Sequence, residues 1–266
     1  MKEIMSINSK FMEISPKELV ELVINNSKCV KGFEIIVDYY NSNEVKYMIE
    51  LANECSKNNL LFQIHGNSNV SLENNICFIK IVEGLSNLFD YKINIVMHSL
   101  IADTTQEAIE KTTKYLNSLT SQIDNDKVTI SLENLNDIHH EDRLNKDDIV
   151  SIICNNENIY MTYDIGHEII DFGNITDLNE ALIPLISNVH LHTYSNKYED
   201  GFDHKPIFEN DEHWNQILKG ILFLKNNNYK GNVVFEYDLY ACIGNTIEEK
   251  IKSYISSMDY VGQRFI

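Results

Sequence analysis

The chain is poor in the residues that punctuate or staple a structure. Its 266 residues include only three prolines and ten glycines. No Pro/Gly/Ser-rich linker, short repeat or low-complexity tail divides it, so a single domain over residues 1–266 is expected. The five cysteines, Cys29, Cys55, Cys77, Cys154 and Cys242, are odd in number and far apart, with no C-x-x-C. This excludes a disulfide frame and reads as buried small apolar residues in a reducing compartment. No apolar run approaches the ~20 residues that span a bilayer. The N-terminus lacks the long apolar core of a signal peptide. A cytoplasmic protein with no membrane partner is expected. Positive charge is scarce: 22 Lys and Arg face 40 Asp and Glu, a formal charge of −18. Such a surface repels a phosphate backbone and no Lys/Arg cluster offers a basic groove, so nucleic acid is not expected as a partner.

What the chain does have is a regular alternation. With 43% hydrophobic residues it can fill one large core. β-favouring runs occur at 3–8, 33–37, 61–65, 93–98, 127–133, 159–164, 188–192 and 232–236. Segments of helical apolar spacing lie between them: one after Ser15–Pro16, one around 45–51, one around 109–116, then 177–186, 214–224 and 247–258. Ser15 with Pro16 reads as a helix start, and Thr246 with Glu249 as a capping box. Strand and helix in alternation mean parallel strands with crossover helices. Eight such units in this length predict a single α/β domain, a (β/α)8 TIM barrel.

In that fold the C-terminal ends of the strands converge on one mouth. The residues found there share a chemistry. Strand three ends at His65, strand four at His98, strand five at Glu133 and strand six at Asp164, with His167 beyond a glycine. Strand seven brings His190 and His192, which share a face of the strand, and strand eight Glu236. Asp203 and His204 follow strand seven in "DHKP". Taken singly, His65, His98 or His204 reads equally well as a satisfied loop histidine. Six consecutive strand ends of this kind point instead to a metal site, because unpaired imidazoles and carboxylates at a dry mouth are strongly destabilising. Oxygen and imidazole donors without thiolate suit Zn, Mn, Co, Fe or Mg. His139–His140 reads as a solvated pair, His213 as a helix-start residue, the acidic run 141–148 as a solvated helix start, and Met97 and Met161 as core.

The ordered motifs "IVMHS", "SLEN", "YDIGHE", "VHLH", "DHKPI" and "VVFE" make the chain resemble the xylose isomerase-like superfamily of TIM barrels. That group holds sugar isomerases and epimerases and endonuclease IV, and the likeness covers essentially the whole chain. For an isomerase or epimerase the resemblance implies one divalent metal on Glu133, Asp164, His192 and Glu236. His192 is taken over His190 by assuming that the second His of the pair is the ligand, which leaves His190 to support a ligand from behind or to contact the substrate. Glu133 and Glu236 would be the catalytic pair, moving a proton next to a carbonyl, with His167 touching the substrate. For an endonuclease IV-like enzyme the resemblance implies three zinc ions: one on His65, His98 and Glu133, one on Glu133, Asp164, His192 and Glu236, one on His167 and His204. That pattern wants an Asp two residues before His204, where this chain has Phe202, with Asp203 one residue off. The expected activity is therefore a metal-dependent isomerase or epimerase of a small sugar or sugar phosphate. The alternatives are a multi-zinc phosphoesterase and an inactive metal-binding barrel. A helix stripe that packs on a second copy reads like any other, so homo-oligomerisation stays open.

Overall fold

The computed structural model describes residues 1–135, 144–156, 158–175, 178–195, 202–208 and 210–265. Eight parallel strands close into a barrel: β1 (Lys2–Ile7), β2 (Val30–Ile36), β3 (Leu61–His65), β4 (Ile93–Met97), β5 (Val128–Glu133), β6 (Ile159–Asp164), β7 (Ile186–Leu191) and β10 (Asn232–Phe235). Each pairs with its sequence neighbour, and β10 closes onto β1 through Lys2–Asn232 to Met5–Phe235. Two short strands, β8 (Thr193–Ser195) and β9 (Phe202–Lys205), form an antiparallel hairpin above the mouth. The barrel expectation therefore holds, and all eight predicted strands are present with ends shifted by a few residues at most. Among the described residues no helix is long and apolar enough to cross a membrane.

The helices cover the outside: α1 (Pro16–Asn26), α2 (Ser42–Lys57), α3 (Leu72–Leu85), α4 (Thr105–Thr120), α5 (Lys146–Ile153), α6 (Ile165–Phe172), α7 (Trp214–Asn226) and α8 (Ile247–Gly262). Their starts are written in the chain. Ser15 and Glu18 form a capping box before Pro16, and Thr246 and Glu249 form another. The core lies between strands and helices, where Val20 and Val23 of α1 and Met48 and Leu51 of α2 are buried with Phe33, Ile35, Phe62 and Ile64. Each such side chain contributes about 1.5–3 kcal/mol.

Three expectations need correction. Residues 177–186 do not form an α-helix. Glu180–Leu185 is a 3-10 turn containing Pro184, which has no N–H to continue a helix; Asp177 lies outside the described residues. The crossover helix is instead α6, which starts at once after β6. Second, Cys77 and Cys154 are exposed and Cys29 half-buried; only Cys55 and Cys242 are buried. Third, the start of α5 is not simply solvated. Lys146 is 5% exposed and its Nζ lies 2.9 Å from Glu168 Oε1.

The barrel interior is polar where such barrels usually carry branched apolar residues. Asn94 donates to Ser131 Oγ at 2.9 Å, and Ser131 lies 2.7 Å from Thr162 Oγ1. On the adjacent strands β2 and β3, Gln63 Nε2 donates to Glu34 Oε2 at 2.5 Å, and Asn232 Nδ2 of β10 reaches in to donate to Gln63 Oε1 at 2.7 Å. Strand residues two apart face the same way. Gln63, Ser131, Thr162 and Asn188 thus form a floor one step below His65, Glu133, Asp164 and His190.

Candidate metal centre

Three groups of donor atoms crowd the mouth. In the first, His65 Nε2 lies 3.0 Å from Glu133 Oε2, His98 Nε2 lies 3.2 Å from the same oxygen, and the two imidazole nitrogens are 3.1 Å apart. His65 Nδ1 sits 3.1 Å from the Gly66 carbonyl. A carbonyl can only accept, so Nδ1 holds a proton and Nε2 is the nitrogen that faces the carboxylate.

The second group is centred on His190. Its Nδ1 lies 2.8 Å from Glu236 Oε2, 3.1 Å from Glu133 Oε1 and 3.8 Å from Asp164 Oδ2. Glu133 therefore has both oxygens engaged, one in each group. The four donors Glu133, Asp164, His190 and Glu236 all lie within 4.8 Å of one another. Here the structure brings in His190 where the resemblance took His192. The His190 ring has no exposed surface and does not line the cavity, so it faces carboxylates on every side rather than a substrate.

His192 belongs to the third group, with His167, Asp203 and His204. Its Nε2 lies 3.2 Å from Asp164 Oδ1 and its Nδ1 3.3 Å from Asp203 Oδ1. It stacks on His204 at 4.2 Å between ring centroids. His167 Nδ1 lies 3.0 Å from the Asn134 carbonyl, which leaves its Nε2 free toward Asp203 Oδ2 at 3.9 Å.

The local sequence explains these positions. Asp164 ends β6 and caps α6 at the same time: its Oδ1 accepts from His167 N at 2.7 Å. Gly166 stands where a Cβ would fall onto the His192 ring. Asn134, directly after β5, accepts from Asp164 N at 2.8 Å and donates to Asp164 O at 2.9 Å, tying two ligand-bearing strands together. Asp203 enters the site through a bulge. Thr193 pairs with Lys205 and Ser195 with Phe202, so β9 spends one residue more than β8 over the same span. His204 takes φ 53°, and the two adjacent side chains turn into one site.

The chemistry of the donor set fits divalent cations. Asp164 Oδ2, His192 Nε2 and Glu236 Oε2 are buried without a hydrogen-bond partner, although each has an oppositely charged group at ion-pair distance. Their contacts are close but not aligned for a shared proton, as expected of atoms aimed at a common centre. The imidazoles respond to the same demand for positive charge. Burial alone lowers His65 and His192, but Glu133 raises the first to about 9 and Asp164 with Asp203 the second to about 10. Burial also raises Asp203, yet the three imidazoles around it hold it at about 2. His98 and His204 are pushed down by burial, with a neighbouring imidazole adding to it.

A cavity of about 310 Å³ opens over the groups, lined among others by Asp38, Asn67, His98, His167, His204 and Glu236. A second of about 230 Å³ adjoins it at Ser6, Asn8 and Asp238, sharing Asp38, His204 and Glu236. Of the remaining expectations, His213 precedes α7 and stacks on Tyr194 away from the donors. Met97 and Met161 are fully buried. His139 and His140 lie outside the described residues. One residue of the site was not anticipated at all. Glu34, in the middle of β2, contacts His190 Nε2; its signal was an isolated carboxylate in the apolar run "GFEIIV".

No protein-family model and no curated protein matches this sequence. Solved structures do. A 3-keto-D-glucoside 4-epimerase from E. coli is 16% identical with a TM-score of 0.67, over 98% of both chains. An AP endonuclease, family 2, from Brucella melitensis is 15% identical with a TM-score of 0.68, again over 98% of both. A xylose isomerase domain protein from Alicyclobacillus acidocaldarius is 12% identical with a TM-score of 0.68, over 100% of this chain and 99% of that one. Likeness at these identities concerns architecture: the chain shares the (β/α)8 fold of these structures.

Proposed function

We propose that this protein is a multinuclear metal-dependent hydrolase of small phosphate esters. The observation that carries the reading is the engagement of both Glu133 oxygens, one by His65 and His98 and the other by His190. A carboxylate in that position would bridge two cations, and with both oxygens so engaged it would be a poor base toward a substrate. His65, His98 and Glu133 would hold one ion; Glu133, Asp164, His190 and Glu236 a second; His167, His192, Asp203 and His204 a third. Divalent cations bound there would polarise the phosphoryl group and lower the pKa of a water.

Charge supports the same count. Glu34, Glu133, Asp164, Asp203 and Glu236 surround the site. Three divalent ions would balance these carboxylates with every imidazole neutral, whereas one would do so only with several imidazoles still protonated. The chain's own residues then have distinct tasks. Glu236 lines both cavities and is thus the carboxylate of the set best placed to take a proton from a water there. Asp203 orients His192 and His204. The cavity volume and the net charge of −18 suit a small ester rather than a polyanion.

A second reading, a sugar isomerase or epimerase, is favoured by the epimerases among the similar structures and by Glu133 and Glu236 meeting at His190. It needs one metal and two proton-moving glutamates. The test sets the two activities side by side. The metal-loaded protein is assayed for inorganic phosphate release from sugar phosphates and aryl phosphates, and for deuterium uptake into ketoses in heavy water. Phosphate release that Glu236→Gln abolishes supports hydrolysis. Deuterium uptake without phosphate release would overturn it.

A further inference from the structure

We infer that Glu34 is a positioning residue that fixes His190 as an Nδ1 donor. The inference rests on His190 being a metal ligand, as proposed above. Glu34 is fully buried in the barrel floor, five strands from β7 along the chain but three strands from it round the closed barrel. His190 Nε2 lies 3.1 Å from its Oε1 and 3.4 Å from its Oε2, the longer contact being the one aligned as a hydrogen bond. His190 is therefore held from both sides, by Glu34 at Nε2 and by Glu133 and Glu236 at Nδ1.

The neighbours of Glu34 face it with donors. Gln63 Nε2 at 2.5 Å and Asn188 Nδ2 at 3.3 Å both donate to Oε2. The amide of Gln63 cannot turn round, because its Oε1 already accepts from Asn232 Nδ2 at 2.7 Å. Every neighbour thus offers Glu34 a proton, and the last comes from His190 Nε2–H. A carboxylate behind an imidazole fixes its tautomer and raises the donor strength of the other nitrogen. Glu34 does not line either cavity, so it reaches the chemistry only through His190.

Glu34→Gln keeps the shape and removes the charge; Glu34→Asp keeps the charge and withdraws it by one methylene. Zinc affinity is measured by competition with a chromogenic chelator, alongside the melting temperature of the chelated protein. Positioning through charge predicts a 10–100-fold weaker affinity in Glu34→Gln and a smaller loss in Glu34→Asp. A packing role predicts the reverse order, since Gln is the better steric match, and that order would overturn the inference. Should Glu34→Gln not fold, the wild-type protein decides. Nitrogen-15 spectra of its histidines should show the His190 proton on Nε2, with or without zinc, and an unprotonated Nε2 would refute it. Failure to bind zinc at all, with Nε2 still protonated, would remove the hydrolase reading while leaving the Glu34 contact intact.

Discussion

Asp203 and His204 are adjacent in the chain and yet reach the same cluster of imidazoles. Asp203 Oδ1 lies 3.3 Å from His192 Nδ1, and the His204 ring stacks on His192. In a regular strand neighbouring side chains point to opposite faces. The extra residue of β9 and the left-handed backbone of His204 are what bring them together. Asp203→Ala should therefore remove about one metal equivalent per chain and leave the barrel folded, since the hairpin stands outside the barrel sheet. Elemental analysis with circular dichroism checks both halves.

Glu133 and Glu236 should behave differently when each becomes Gln. Glu133→Gln takes a shared donor from two groups, so more than one metal equivalent should be lost. Glu236→Gln should keep the His65 and His98 group loaded and lower kcat by about 10²–10⁴-fold, the usual worth of a general base. Equal metal loss in both variants would contradict the bridging role of Glu133.

Gly166→Ala puts a methyl group onto the His192 ring. His192 must then leave Asp164, and the third group should lose affinity at least tenfold while the first keeps its own. Cobalt titration followed by visible absorption separates the groups. Unchanged binding of every equivalent would show that His192 is not a ligand.

The amount legible in the sequence differed from element to element. Eight strands were visible because each is a short β-favouring run, and six of them close on a His, Asp or Glu about one strand–helix unit apart. The candidate donors were visible for the same reason. Helix α6 was hidden because Asp164 serves both as the last residue of β6 and as the cap of α6, leaving no loop to mark the change. The bulge at Asp203 has no local signature, since it follows from how two strands pair. The choice between His190 and His192 was equally closed to spacing: both share a face, and only the barrel's curvature sends one to Glu133 and the other to Asp203.

Metal uptake should release protons at neutral pH. His65, held up at about 9, and His192, at about 10, carry protons there and must lose them to bind a cation. The same shifts set the stability of the chelated protein. Raised imidazole values stabilise the fold fully below about pH 6.5, the unfolded value. That contribution is lost as pH rises through 9 to 10. Melting temperatures of chelated protein should fall across this window and those of loaded protein should fall less. A flat profile without metal would contradict the assignment of these protons.

The most direct measurement is the number of divalent ions bound per chain, by elemental analysis of protein purified without added metal or chelator and again after zinc loading and desalting. Two or three ions per chain, reduced by Asp203→Ala and by Glu133→Gln, is the predicted result. A single ion that survives loading unchanged, lost with Glu236→Gln but not with His65→Ala or His98→Ala, would contradict the multinuclear site and transfer the proposal to the epimerase chemistry of one metal and two glutamates.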